Sequence, residues 1–350
     1  MKTYSCRCGQ LLFFENVACV NCGVKLGFLP DTMQQGVLTA TATGAWESQG
    51  RLYKACRNYA EENVCNWMIP IEDPVDFCLA CRLNSVIPNL AQRENHTRWA
   101  NFETAKRRLI YTLLQLKLPL QSKNEDPDGL SFQFLADSRT DAAFSEPVLT
   151  GHANGLITIN LAEADDVERE KMRSKLHEPF RTLLGHFRHE IGHYYWDRLV
   201  AGTPWIEPYR QLFGNETQDY AQALKVHYDN GPAPNWNLNF VSAYASSHPW
   251  EDWAETWAHY LHMHDTLETA HDVGLTHITF DGAGTGADEL GKFEQMLKEW
   301  KVIAVAINSL NRSLGQHDAY PFVIAAPVAE KLRFIHHVIY TRANSNQGDR

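Results

Sequence analysis

The spacing of apolar positions divides the chain near residue 95. Before that point they come in short clusters, Leu11–Phe14 and the arm from Lys25 to Leu29, with turn residues between them. This pattern predicts a ribbon of short strands over residues 1–30 and a second small module around Trp46 and Trp67. Residues 84–98 are polar with one proline and read as a linker. Beyond it the period lengthens. Trp99, Phe102, Ala105, Leu109, Leu113 and Leu116 recur at helical spacing and predict a helix over 98–117. Lys106-Arg107-Arg108 on that helix reads as a solvated charged face. Strands are predicted over 130–135 (LSFQFL) and 155–160 (GLITIN). An acidic stretch over 163–170 leads into a helix. A long helix is predicted over 179–199, with Pro179 in its first turn and Phe180, Leu183, Leu184, Phe187, Ile191 and Tyr194 as its buried stripe. After an irregular stretch from Gly202, further helices are predicted over 219–227, 249–264, 288–310 and 328–340, with 343–350 as a frayed tail.

Composition narrows the class. Of the 350 residues, 44% are hydrophobic and 21% charged, as in ordinary globular proteins. The longest apolar run, Val302–Ile307, is far too short for a membrane span, so no membrane partner is expected. The opening residues lack the apolar core of a signal peptide, and the expected compartment is the cytoplasm. The net charge is −10, unevenly spread. Residues 1–110 carry 12 Lys and Arg against 10 Asp and Glu, and the remainder 20 against 32. So acidic a larger part repels a phosphate backbone, which makes nucleic acid a poor partner.

All eight cysteines lie at or before residue 81, in two sets: Cys6, Cys8, Cys19, Cys22 and Cys56, Cys65, Cys78, Cys81. Each set closes with Cys-x-x-Cys, a spacing that lets two thiolates reach one metal. In the first set a glycine follows each pair, Gly9 and Gly23, and leaves the turn free to aim backbone N–H groups at the sulfurs. The expectation is two structural zinc ions, with pairing of thiols across the two sets left open. Modules this small need the metal to offset their meagre cores.

The long helix contains His189-Glu190-Ile191-Gly192-His193. Two histidines four apart share one helical face and can bind one metal, while Glu190 points to where an activated water would lie. A third ligand is needed. Glu251 and Glu255 stand one turn apart on a second predicted helix, and Pro249 suits the start of that helix. The spacing favours Glu251 as the zinc ligand and Glu255 as the carboxylate that orients a bound imidazole. The reverse assignment stays open. His259, His262 and His264 lie too far along to share this metal, and the aromatics at 194–196, 250, 253 and 257 read as core.

The block from Tyr244 to Glu255 (YASSHPWEDWAE) resembles the glutamate helix of lethal-factor-like zincins. The chain as a whole, from residue 1 to about 340, resembles a bacterial family of zinc-binding metallopeptidases with an N-terminal zinc-ribbon region. The segments that carry the likeness are 65–67, 181–197 and 241–262. The resemblance implies an α+β fold: a zincin-like metallopeptidase domain over 96–342, preceded by a zinc ribbon over 1–30 and a second four-cysteine zinc module with linker over 31–95. It also implies that Tyr244, seven residues before Glu251, assists the transition state. The expected function is zinc-dependent peptide hydrolysis with one catalytic and two structural zinc ions, Glu190 as general base, and a peptide or protein as substrate. The GLITIN strand is a candidate edge for an extended peptide. Two rivals remain: a DNA-associated protease guided by its zinc ribbons, and a non-catalytic zinc-containing binding protein.

Overall fold

The computed structural model describes residues 1–137, 140, 148–176, 182–276 and 289–345. It has two compact units. The first comprises 1–111 and 120–166, and the second 112–119 and 167–350.

The first unit is built from short strands. β1 (Tyr4–Ser5) and β2 (Leu11–Leu12) form a small antiparallel pair, as do β3 (Leu26–Leu29) and β4 (Gln34–Val37). Next comes an antiparallel sheet of β5 (Thr39–Ala40), β6 (Trp46–Ser48), β7 (Arg51–Ala55) and β8 (Met68–Pro70), with the single-turn helix α1 (Arg57–Ala60) between the last two strands. These pieces share a core. Phe28 and Trp67 bridge backbone to backbone and hold their rings 5.0 Å apart, and Phe14 meets Phe28 edge-on at 4.8 Å. The stretch expected to be a linker holds β9 (Asn84–Val86) and the start of α2 (Arg93–Gln115). β9 is three residues long, too short for alternation to show, and its partner is distant in sequence. A four-stranded sheet follows in the order β11 (Gly151–Ala153), β12 (Leu156–Asn160), β10 (Ser131–Leu135), β9. β12 is the GLITIN strand. It pairs in parallel with β10 and antiparallel with β11, so its backbone is committed on both sides and the expected peptide-binding edge is not there.

The charged triplet on α2 also departs from expectation. Lys106 and Arg107 are buried, not solvated. Lys106 Nζ is 2.7 Å from Glu103 Oε1, and Arg107 donates to the Val64 carbonyl. Burial opposes the charge of Arg107, but the negative charges of Cys65 as thiolate, Glu103, and Cys81 and Cys78 as thiolates outweigh it and raise its pKa. Arg107 is therefore a buried counter-charge beside the second cysteine set.

The second unit is helical: α3 (Asp166–Leu176, whose first residue belongs to the first unit), α4 (Leu183–Leu199), α5 (Ile206–Phe213), α6 (Tyr220–Asn230), α7 (Pro249–Asp272), α8 (Glu289–Ser313) and α9 (Ala326–Ser345). α5 occupies a stretch expected to be irregular, since two turns are too few to set a period. The described start of α4 is capped by the Thr182 hydroxyl, which accepts from the Gly185 N–H at 2.9 Å. Pro179 and Phe180 lie outside the described residues, as do 346–350 of the expected tail, whereas 343–345 continue α9.

α4 and α7 pack closely because residue 192 has no side chain. A Cβ there would lie 3.0 Å from Ala254 Cα and 3.2 Å from Trp257 Cβ. Trp253 Nε1 donates to the Gly192 carbonyl at 2.8 Å and ties the two helices at the same level. A glycine inside a helix costs about 1 kcal/mol relative to alanine, and the close contact offsets it. Behind this pair lie buried charges: Lys331 Nζ is 2.6 Å from Asp252 Oδ2, and Arg188 pairs with Asp265, whose carboxylate also accepts from Thr112 Oγ1 at 2.7 Å.

Candidate metal centres

Three groups of side chains are disposed to hold a metal ion: Cys6 with Cys8, Cys19 and Cys22; Cys56 with Cys65, Cys78 and Cys81; and His189 with His193 and Glu251. Each cysteine set gathers on its own, so thiols are not shared between the sets. Sulfurs stand 3.6 Å apart for Cys6–Cys22 and Cys8–Cys19, and 3.8 Å for Cys65–Cys78. A tetrahedral zinc with bonds near 2.3 Å places its sulfurs about 3.8 Å apart, so both sets fit the ion. Hydrogen bonds favour the thiolate form at Cys8: the Asn21 amide and the Gln10 backbone lower its pKa to about 6.

The third group brings together side chains from two helices far apart in sequence. His189 and His193 lie one turn apart on α4. Glu251 sits in the first turn of α7, where Pro249 opens the helix and the N-terminal end favours an anion. His189 Nε2 is 3.2 Å from His193 Nε2 and 3.0 Å from Glu251 Oε2, and His193 Nε2 is 3.5 Å from Glu251 Oε1. Donors held near 2.0–2.2 Å from a tetrahedral ion stand about 3.3–3.6 Å apart, so two imidazoles and a carboxylate at these separations suit zinc, with one Glu251 oxygen nearer each histidine. Three protein donors leave a fourth position for water or substrate.

The surroundings prepare the site for a cation. Burial works to raise the pKa of Glu251, but His193 and His189 hold it well below the usual carboxylate range. Burial likewise opposes a charge on His189, yet its hydrogen bonds to Glu251 and Glu255 lift its pKa well above that of a free histidine. A proton shared in this way is what an incoming metal displaces. Glu255 Oε1 is 2.7 Å from His189 Nδ1, the nitrogen facing away from Glu251, and Glu255 Oε2 accepts from Ser242 Oγ at 2.6 Å. Of the two glutamates, Glu251 is thus the one beside both Nε2 atoms, and Glu255 the one behind the ring of His189.

Glu190 is buried, with Oε1 3.3 Å from His186 Nε2. Burial raises its pKa, but the His186 contact and the neighbouring histidines bring the net shift downward, which keeps the carboxylate ionised. The Tyr244 ring lies 5.9 Å from that of His189, in a short 3-10 turn over Tyr244–Ser246. Burial and then Glu251 push its pKa well above the ordinary value, so the phenol stays protonated. Two site neighbours were not foreseen from sequence: Ser242, and Tyr220, whose hydroxyl donates to Glu251 Oε1 at 2.7 Å; Trp250, expected as core, is half-buried with its ring 3.9 Å from that of His193. Tyr220 carries no local signal, being 31 residues from Glu251. His259 and His262 are buried elsewhere, His259 against the Tyr320 hydroxyl at 2.7 Å and His262 against Arg188.

Comparison with known proteins agrees with this geometry. Residues 95–338 match the family described as "putative zinc-binding metallo-peptidase", and residues 3–92 match a zinc-ribbon domain. Proteins of Mycobacterium bovis and of two strains of Mycobacterium tuberculosis, each called an uncharacterized protein, are 43% identical over 344 residues, covering 97% of this chain and 95% of each relative. No solved structure matches. No helix among the described residues is long and apolar enough to cross a membrane. A zinc-ribbon region followed by a His189, His193 and Glu251 centre in a helical unit places the chain in this zinc-binding metallopeptidase family.

Proposed function

We propose that the chain is an active zinc peptidase. The observation that carries this reading is the placement of an ionised, buried Glu190 on the same helix turn as the donor triangle of His189, His193 and Glu251. A purely structural metal site has no use for such a base.

His189, His193 and Glu251 would hold one zinc, and the two cysteine sets one each. Bound zinc acts as a Lewis acid, activating water and polarising the carbonyl of a peptide bond. Glu190 takes the proton of the attacking water and delivers it to the departing amine as the C–N bond breaks. The Tyr244 phenol donates a hydrogen bond to the oxygen that gains charge. Glu255, held by Ser242, keeps Nδ1 of His189 protonated and its Nε2 free for the metal. We assign residues 1–30 and 31–95 to the zinc modules and 96–342 to the peptidase domain. The eight unbridged thiols favour action in a reducing compartment, the cytoplasm.

The test is Glu190→Gln. This variant should fold and bind zinc like wild type, while hydrolysis falls about 10²–10⁴-fold. In a cell-extract pull-down it should retain full-length partners that the wild type cleaves and releases. Equal capture of intact partners by both proteins would sink the reading.

A further inference from the structure

The second unit contains a helix that contributes no buried side chain, yet it reaches the metal centre. α6 is capped by Asp219, whose carboxylate accepts from the Gln222 N–H at 3.0 Å, and none of its eleven residues is buried. Its first residue, Tyr220, passes beside His248 and Trp250, with ring separations of 5.2 and 5.8 Å, and donates to Glu251 Oε1. The segment is fastened on either side of that contact. His248 Nε2 lies 3.3 Å from the Gln218 carbonyl, and the Ala233 N–H donates to Ser246 Oγ at 3.2 Å.

The two oxygens of Glu251 are therefore not equivalent. Oε2 faces His189 Nε2 at 3.0 Å, whereas Oε1, 3.5 Å from His193 Nε2, accepts the 2.7 Å hydrogen bond from the phenol. A carboxylate that accepts a strong hydrogen bond on one oxygen presents the other as its better donor, and its plane is fixed.

We propose that Tyr220 is a positioning residue for the third metal ligand. It holds Oε1 and so fixes the plane in which Glu251 would present its carboxylate to the metal, and thereby links the occupancy of the metal centre to the seating of α6. This inference rests on the proposed His189, His193 and Glu251 metal site.

The test is a chelator competition on the full-length protein, following zinc release from wild type, His189→Ala, Tyr220→Phe, Glu251→Gln and the double variant Tyr220→Phe/Glu251→Gln. Tyr220→Phe keeps the ring and removes only the hydroxyl. Zinc affinity at this centre should fall about 10–100-fold, with the cysteine-bound zinc unchanged. In the Glu251→Gln background the same change should have no further effect, because the carboxylate ligand it positions is gone. If His189→Ala loses one zinc but Tyr220→Phe releases it like wild type, the role of Tyr220 is overturned and the metal site stands. If His189→Ala retains every zinc of the wild type, both are overturned. A thermal midpoint that drops in Tyr220→Phe without any change in zinc affinity assigns the phenol a packing role and also overturns the proposal.

Discussion

The cysteine centres and the histidine–glutamate centre solve opposite problems. Each cysteine set gathers four thiols from no more than 26 residues of chain, so a metal bound there would close short loops that have little core of their own. The His189, His193 and Glu251 centre takes three donors from two long helices already fixed by Trp253, Trp257 and Tyr195. There the fold exists first and the ion is a guest with one position open. In the first case metal makes structure. In the second, structure makes a metal site.

The largest expected effect tests the first half of that contrast. Cys78→Ser should release one zinc and unfold the surrounding strands, since a structural zinc contributes on the order of 10 kcal/mol in small zinc domains. Limited proteolysis should then cut within 31–92 while the helical unit keeps its thermal transition. Joint unfolding of both units would break the contrast.

Next in size, Glu251→Gln should empty the helical centre with little change in helicity, whereas Glu255→Gln should weaken zinc binding only about 10–100-fold. Metal content per chain, read beside circular dichroism, separates the two. Stripping of the metal by Glu255→Gln with retention by Glu251→Gln would reverse the assignment.

Gly192→Ala should cost about 1–3 kcal/mol of unfolding free energy despite the better helix propensity of alanine, because the new methyl meets the backbone of α7. Zinc affinity at the helical centre should fall, and the cysteine centres should not respond.

The smallest effect is one of pH. Burial lowers the pKa of His259 to about 4, with Glu255 opposing, against 6.5 for the free side chain. The unfolded chain therefore takes up the proton first, and stability is lost as pH falls below 6.5, until the folded form also titrates near 4. From about pH 6.5 to 5.5 this amounts to about 1 kcal/mol. Chemical denaturation of metal-free protein at the two pH values should show that difference, reduced in His259→Gln.

What can be read from sequence follows the same division. The cysteine sets and the His189–His193 pair are legible because their partners are neighbours in the chain, and the expected extent of α7 is short only at its far end, which runs to Asp272. Glu251 is legible through the spacing of Pro249, Glu251 and Glu255. Tyr220 and Ser242 are not, because each bonds a glutamate on another element. Arg107 passes for a solvent face because the cysteines that favour its charge lie 26 or more residues away, whereas Lys106 pairs with Glu103 on its own helix. The Asn154-Gly155 turn does mark the pairing of β12 with β11, but its parallel partner β10 is distant in sequence, so β12 passes for a free edge.

Gly192 has one more consequence. The distance between α4 and α7 decides how far Glu251 stands from the two imidazoles, so the missing methyl group works as a gauge of ionic radius. Donor separations of 3.0–3.5 Å suit an ion that sits about 2 Å from each ligand. Calcium, which asks for six or more oxygens, would find only one carboxylate beside two imidazoles here.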